Sequence, residues 1–378
     1  MKEKSLSVPS AGARNSRIEL LRIISMLLIV AFHATSMGYL ETDRPIIVRA
    51  AAVLLGTWGI LGVNIFVIIS AYFLTDQKCR SKRLVSLVFQ VFTYFVLWLI
   101  LSVAYKYFDT HSFAEALKAV AVKIFNGAFD PFWNRTYWFV TAYFFMLLAS
   151  PFMNYLLHHA DRRLIGKILI VASIIPVYSQ FQKNAVIDSA VLCYIYLLTG
   201  ALKLHFSDFA NRIANTRNIV LLFSAALVGR LILQIPDFPD SLNKICYYTI
   251  GATDRHAVIL LALALPICFS VFSQKPFYSG AVNRVAALTF GVYLLTELYV
   301  LDYYGIQEYI FKKFTWMGFI TDGILFPLQY AAVVLLVFLL GIGVEFFRDL
   351  VLQKPFMKFI EKHFSANLQK ADDWLYLE

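Results

Sequence analysis

Residues 17–40 read RIELLRIISMLLIVAFHATSMGYL, an apolar run with two ionisable side chains, Arg22 and His33, in its interior. About twenty predominantly apolar residues suffice for a membrane-spanning helix. Arg22 and His33 stand eleven residues apart. Eleven steps of about 100° come within about 20° of three full turns, so both side chains share one stripe, about 16 Å apart along the axis. An ionisable group in hydrocarbon is costly and normally faces the bundle interior, where it serves a site. Two expectations follow: the fold is a membrane bundle, and its chemistry lies inside the membrane.

The remaining sequence extends the first expectation. The chain has 378 residues, 60% hydrophobic and 15% charged, with a mean hydropathy of +0.67. Soluble domains hold about 45–50% apolar and about 25% charged residues, so the fold class expected is all-α and polytopic. Ten spans are expected, at 18–39, 50–75, 84–105, 136–157, 164–179, 186–204, 218–235, 256–273, 284–304 and 323–347, with the fifth, sixth and eighth short or interrupted. They place one membrane domain at 18–347 between a cytoplasmic segment, 1–17, and a cytoplasmic amphipathic tail, 348–378. An even number of spans puts both termini on one side, and Lys and Arg choose it. With the N-terminus inside, 21 of the 34 cations fall inside and 11 outside, leaving Arg22 and Arg230 within spans. N-in and C-in is the expected orientation.

Topology and anionic headgroups therefore account for the net charge of +10, and no nucleic-acid partner is expected. The cysteines Cys79, Cys193, Cys246 and Cys268 have no paired spacing, so neither a disulfide framework nor a metal site is expected. The first sixteen residues are polar and the run after them lacks a cleavage site, so it reads as a retained span. In the long outside loop, 106–135, Phe113, Leu117, Val120 and Ile124 recur at helical spacing, as an interfacial helix would have them. The tail segment PFMKFIEKHF sets Phe356, Phe359 and Ile360 against Lys354, Lys358 and Lys362, the pattern of a helix on the inner leaflet.

His33 is the first candidate for chemistry, as a general base or acyl acceptor working near neutral pH. A histidine bonded to a neighbouring helix, and an Arg22 that merely snorkels, are the bland alternatives. Glu297 lies in the ninth span, thirteen residues past Arg284, and His33 lies fifteen past Ile18, so the two reach similar depth. A carboxylate there would fix the imidazole tautomer and stabilise the imidazolium, unless Arg230 in the seventh span is its counter-ion instead. Asn64 and Ser70 lie six residues apart on the second span, about 120° off a common face, so one pocket wall need not hold both. Polar residues in spans also serve as helix-to-helix hydrogen bonds.

Four segments, in order, resemble the integral-membrane acyltransferases of acyltransferase family 3. Glu19-Leu-Leu-Arg22 with ten residues before His33 is similar to the family's Arg-x10-His signature. VNIFVIISAYFL, ending through Ser70–Ala71, is similar to its phenylalanine-rich helix, with Ala in place of Gly. TYWFVTAYFFMLLASPFMN resembles its Trp-Phe motif with a downstream Pro, and LTFGVYLL, with Tyr293, resembles its Gly-Ile-Tyr-Leu segment. Thr296–Glu297 stands where the family often has His, so that histidine's role does not carry over. The resemblance implies O-acylation, usually acetylation, of a surface or lipid-linked polysaccharide at the bacterial cytoplasmic membrane. Acetyl-CoA is then a donor substrate and no cofactor is permanently bound. Arg22, Lys82 and Arg83 suit its phosphates, while Tyr137, Trp138 and Tyr143, placed near the outer mouth, suit stacking on sugars. A glycan transporter or flippase using Arg22, His33 and Glu297 as a proton relay is the alternative, and a membrane glycosyltransferase is a third.

Overall fold

The structure is a computed structural model that describes residues 14–35, 40–41, 43–77, 80–125, 137–182, 184–233, 257–297, 299–300 and 303–375. Expectations for Lys2, Lys4, Lys78, Cys79, Cys246 and the loops 126–136 and 234–256 fall outside the described residues.

The first span is a single helix, α1 (Ser16–Thr35). The second is broken into α2 (Ile46–Gly56) and α3 (Gly59–Leu74), with Thr57 and Trp58 between them. Fourteen of the sixteen residues of α3 are buried, which places it at the centre of the bundle. A helix apolar all round is suited to that position. It packs antiparallel to α1, and two glycines set how closely. A Cβ on Gly59 would enter the Phe32 ring, and one on Gly62 would strike the Ser25 carbonyl oxygen.

Next comes α4 (Ser81–Thr110), thirty residues or about 45 Å, longer than a hydrocarbon core of about 30 Å. Its buried Leu87, Val91, Tyr94, Trp98 and Ser102 recur at steps of three and four, one stripe facing the bundle. Between them Phe92 and Ile100 are exposed, as lipid-facing positions would be. The expected loop helix is α5 (Phe113–Phe125), packed on α4. Its buried face is Ala116 and Val120, while Phe113 and Leu117 point outward.

The fourth span, α6 (Trp138–His159), contains Pro151, which cannot donate to the Leu147 carbonyl. The Ser150 hydroxyl donates to that carbonyl at 2.7 Å instead, so the helix continues through the proline. The fifth span is interrupted as expected, into α7 (Arg162–Ala172) and α8 (Ile174–Tyr178). The sixth is not: α9 (Ala185–Leu204) runs unbroken for twenty residues. Then follow α10 (Ser207–Ile213), α11 (Thr216–Ile232), α12 (Val258–Phe272) and α13 (Gly280–Thr296). The ninth span was expected to reach 304, but α13 ends at Thr296. The chain there turns into a two-residue antiparallel ladder, Tyr299–Val300 with Tyr303–Tyr304.

After α14 (Gly305–Trp316) comes the last span, α15 (Phe326–Arg348). A π-helical turn, Asp349–Gln353, joins it to α16 (Lys354–Leu375). Six helical segments among the described residues are long and apolar enough to cross a membrane, and α12 and α13 are shorter apolar helices.

Candidate active site

The starts of α1 and α13 are tied together. Ser16 N–H donates to the Phe277 carbonyl at 2.9 Å, Ser279 N–H donates to Ser16 Oγ at 2.7 Å, and Ser16 Oγ donates to Asn283 Oδ1 at 2.8 Å. The two helices therefore start level and run in the same direction. His33 is seventeen residues beyond Ser16 and Glu297 fourteen beyond Asn283, about 26 Å and about 21 Å along their axes. They meet: His33 Nε2 is in direct contact with Glu297 Oε1, both residues being buried.

The Glu297 end of α13 is held from behind. Glu297 caps the helix, its N–H donating to the Tyr293 carbonyl at 3.0 Å, and the Tyr137 hydroxyl donates to the Leu294 carbonyl at 3.0 Å. A carbonyl in a last turn has no partner within its helix, so Tyr137 supplies one. Tyr137, expected near an outer mouth, is fully buried. Trp138, half-buried, packs edge-on to Phe139 with centroids 5.9 Å apart.

At the other end of the α1 stripe lies a cavity of about 840 Å³ lined by Arg14, Arg22, Arg80, Lys82 and Arg83, against a single carboxylate, Glu19. Ser70 and Tyr143 line it too, with Tyr143 Oη donating to Ser70 Oγ at 3.4 Å. Tyr143, expected near an outer mouth, thus lines the same cavity as the cations. Arg22 Nη1 donates to Glu19 Oε2 at 2.7 Å, and its buried Nε has no partner among the described residues. Its guanidinium lies 5.9 Å from the centre of the Phe66 ring. From the cavity a wall of rings leads toward the His33–Glu297 contact: Tyr143 to Phe139 at 5.6 Å, Phe139 to Tyr293 at 5.5 Å, Tyr293 to His33 at 6.4 Å.

Two candidates lie elsewhere. Asn64 is buried in α3 off the cavity, and neither amide atom has a partner among the described residues. Arg230 is not the counter-ion of Glu297. Its guanidinium sits 4.5 Å over the Trp58 ring, and none of its three nitrogens is hydrogen-bonded among the described residues. Among the described residues, cation–π attraction is the compensation this cation receives. The α11 sequence is apolar all round, so nothing in its pattern pointed Arg230 toward Trp58.

Sequence reasoning missed Glu345, which is buried in the bundle as Glu19 and Glu297 are. It accepts from Tyr94 Oη at 2.8 Å, Gln90 Nε2 at 2.8 Å, and Arg348 Nε and Nη2 at 2.7 Å each. Arg348 Nη1 donates to Gln353 Oε1 at 2.7 Å, and Gln353 Nε2 donates to Ser86 Oγ at 2.9 Å. Gln90 and Ser86 line the cavity, so this network fixes its α4 wall to α15. A signal was present: Glu345, inside the last expected span, and Arg348, just past its end, are three residues apart and share one face once the helix continues to Arg348.

Neither curated protein sequences nor solved structures returned a match to the chain. The acyltransferase family 3 model, an acyltransferase domain, matches residues 15–346, from the start of α1 to near the end of α15. The chain belongs to acyltransferase family 3, the integral-membrane acyltransferases.

Proposed function

We propose that the protein is an O-acyltransferase of a bacterial cytoplasmic membrane, moving an acetyl group from cytoplasmic acetyl-CoA to a hydroxyl of a surface or lipid-linked polysaccharide. One observation carries this reading: a single helix, α1, holds a cation in a phosphate-suited cavity and an imidazole–carboxylate pair three turns away. Coenzyme A is polyanionic, and five cations against one carboxylate suit its phosphates. Arg22, with Nε unused, has the planar fork for bidentate contact.

With Nε2 directed at Glu297, the Nδ1 nitrogen of His33 carries the lone pair. In the reaction the acceptor hydroxyl gives its proton to Nδ1 as its oxygen bonds to the acyl carbon. The C–S bond then breaks, and the imidazolium returns the proton to the departing thiolate. Glu297 stabilises the imidazolium between those steps, and fixes the tautomer before them. Tyr137 and Tyr293 act as positioning residues for this pair.

The test is the ester-linked acetate of surface glycan from cells with and without the protein, paired with membranes supplied with labelled acetyl-CoA. Acetate and label should both depend on the protein. Equal acetate with altered glycan export would return the case to transport.

A further inference from the structure

The helix α16 lies beyond the family match at 15–346, yet it is docked on the wall of the cation-lined cavity. Phe356 stacks on Phe89 of α4 with centroids 3.7 Å apart. The Leu368 carbonyl accepts from Ser81 Oγ at 3.1 Å, and Asp372 Oδ1 accepts from Ser81 N–H at 2.5 Å. Glu361 forms an ion pair with Lys82, a lining residue of the cavity. Glu361 and Asp372 are eleven residues apart, so they lie on one stripe of α16, about 16 Å from each other.

These carboxylates occupy groups that suit a phosphate. Lys82 offers an ammonium, and Ser81 N–H is one of the donors that a helix leaves without an internal acceptor, at the positive end of a thirty-residue helix. Arg80, at the cap position, makes no side-chain capping bond, so Asp372 from another helix takes that place. The Lys82–Glu361 pair is about half exposed on both sides, so it is weak and exchangeable.

We infer that α16 is a strap whose carboxylates, Glu361 and Asp372, compete with the phosphates of the donor for the α4 wall of the cavity, setting donor affinity by occupying Lys82. Resting on the donor reading above, the inference adds to it a regulatory element outside the family domain. A polyphosphate ligand entering the cavity takes Lys82 from Glu361, and the charge pair that holds α16 down is lost.

The full-length protein and its Glu361→Gln variant are titrated in detergent at low salt with two probes, coenzyme A and inorganic pyrophosphate. Glutamine keeps the size of the side chain and removes its charge. Both probes should bind the variant about two- to fivefold more tightly, the range of one exposed charge pair, and the gain should shrink in high salt. Each probe should also speed proteolysis within residues 354–375 of the wild type, which a merely structural helix would not show. Equal or weaker binding by the variant, or unchanged cleavage, overturns the strap. If pyrophosphate behaves as stated while coenzyme A binds neither protein, the strap stands and the donor reading falls.

Discussion

His33 and Glu297 were legible as a pair because depth can be counted along a helix. Both spans begin at a defined polar boundary and run the same way, so residue number converts to height. What no count supplied was the azimuth, which comes from the Ser16–Ser279–Asn283 clasp. Arg230 shows the opposite case, where depth was right and the neighbour was wrong. The pair predicts a separation of two effects. His33→Gln keeps an N–H that can donate to Glu297 and removes the base, so protein yield should hold while acyl transfer falls by about 10²–10⁴-fold. His33→Ala should lose transfer and also yield, because it takes a hydrogen-bonding partner from the buried Glu297 carboxyl. Yield and transfer from labelled donor, measured on both variants, check this; normal transfer in His33→Gln would reduce the histidine to a packing role.

Helix positions were readable from hydropathy, but helix breaks and tight approaches were not. The interruption at Thr57–Trp58 lies inside a continuous apolar stretch, and the end of α13 at Thr296 carries no Gly or Pro signal. Both depend on tertiary partners: Trp58 fits beside Phe223 at 4.9 Å, and Tyr137 holds the last turn of α13. Likewise, nothing in LTFGVYLL told that Gly291 is the floor on which the Glu345 carboxyl rests. A Cβ there would collide with that carboxyl, whereas one at Gly343 of α15 meets no atom within 4 Å. Gly291→Ala should therefore lower stability by about 1–3 kcal/mol through overpacking, and Gly343→Ala should raise it by about 0.5–1 kcal/mol through helix propensity. Thermal unfolding in one detergent measures both; equal shifts would mean that α13 and α15 are not held together at Glu345.

At the scale of the whole chain, composition sufficed for an all-helical membrane protein, while the number of crossings depends on helices that composition does not delimit. The seventh, eighth and ninth expected spans correspond to α11, α12 and α13, of 17, 15 and 17 residues, each near the lower limit for a crossing. The fifth is split at Ser173. Cationic segments still predict one arrangement. Cysteines placed beside Arg162 and Arg163, and reporters at both termini, should be reached from the cytoplasm, and cysteines in α5 only from the opposite face. Labelling of the Arg162 site from outside alone would reverse the membrane orientation and with it the side on which the donor enters.

The continuous helix between Arg22 and His33 has one consequence for chemical selectivity: it makes the protein a ruler. Ser16–Thr35 is one unbroken helix, so in the proposed reaction the phosphate-gripping Arg22 and the base His33 are held about 16 Å apart. A donor is measured by the reach of its arm as well as by its charge. The acetyl thioester of N-acetylcysteamine has the reactive end of coenzyme A without its phosphates, so even at saturation it should be a slow donor. Acetyl phosphate, with charge and acyl group on adjacent atoms, should bind weakly in the cavity and transfer nothing, because its carbonyl stops three turns short. Initial rates with the three donors at matched saturation would read this directly, and comparable rates for all three would show that the span keeps no gauge.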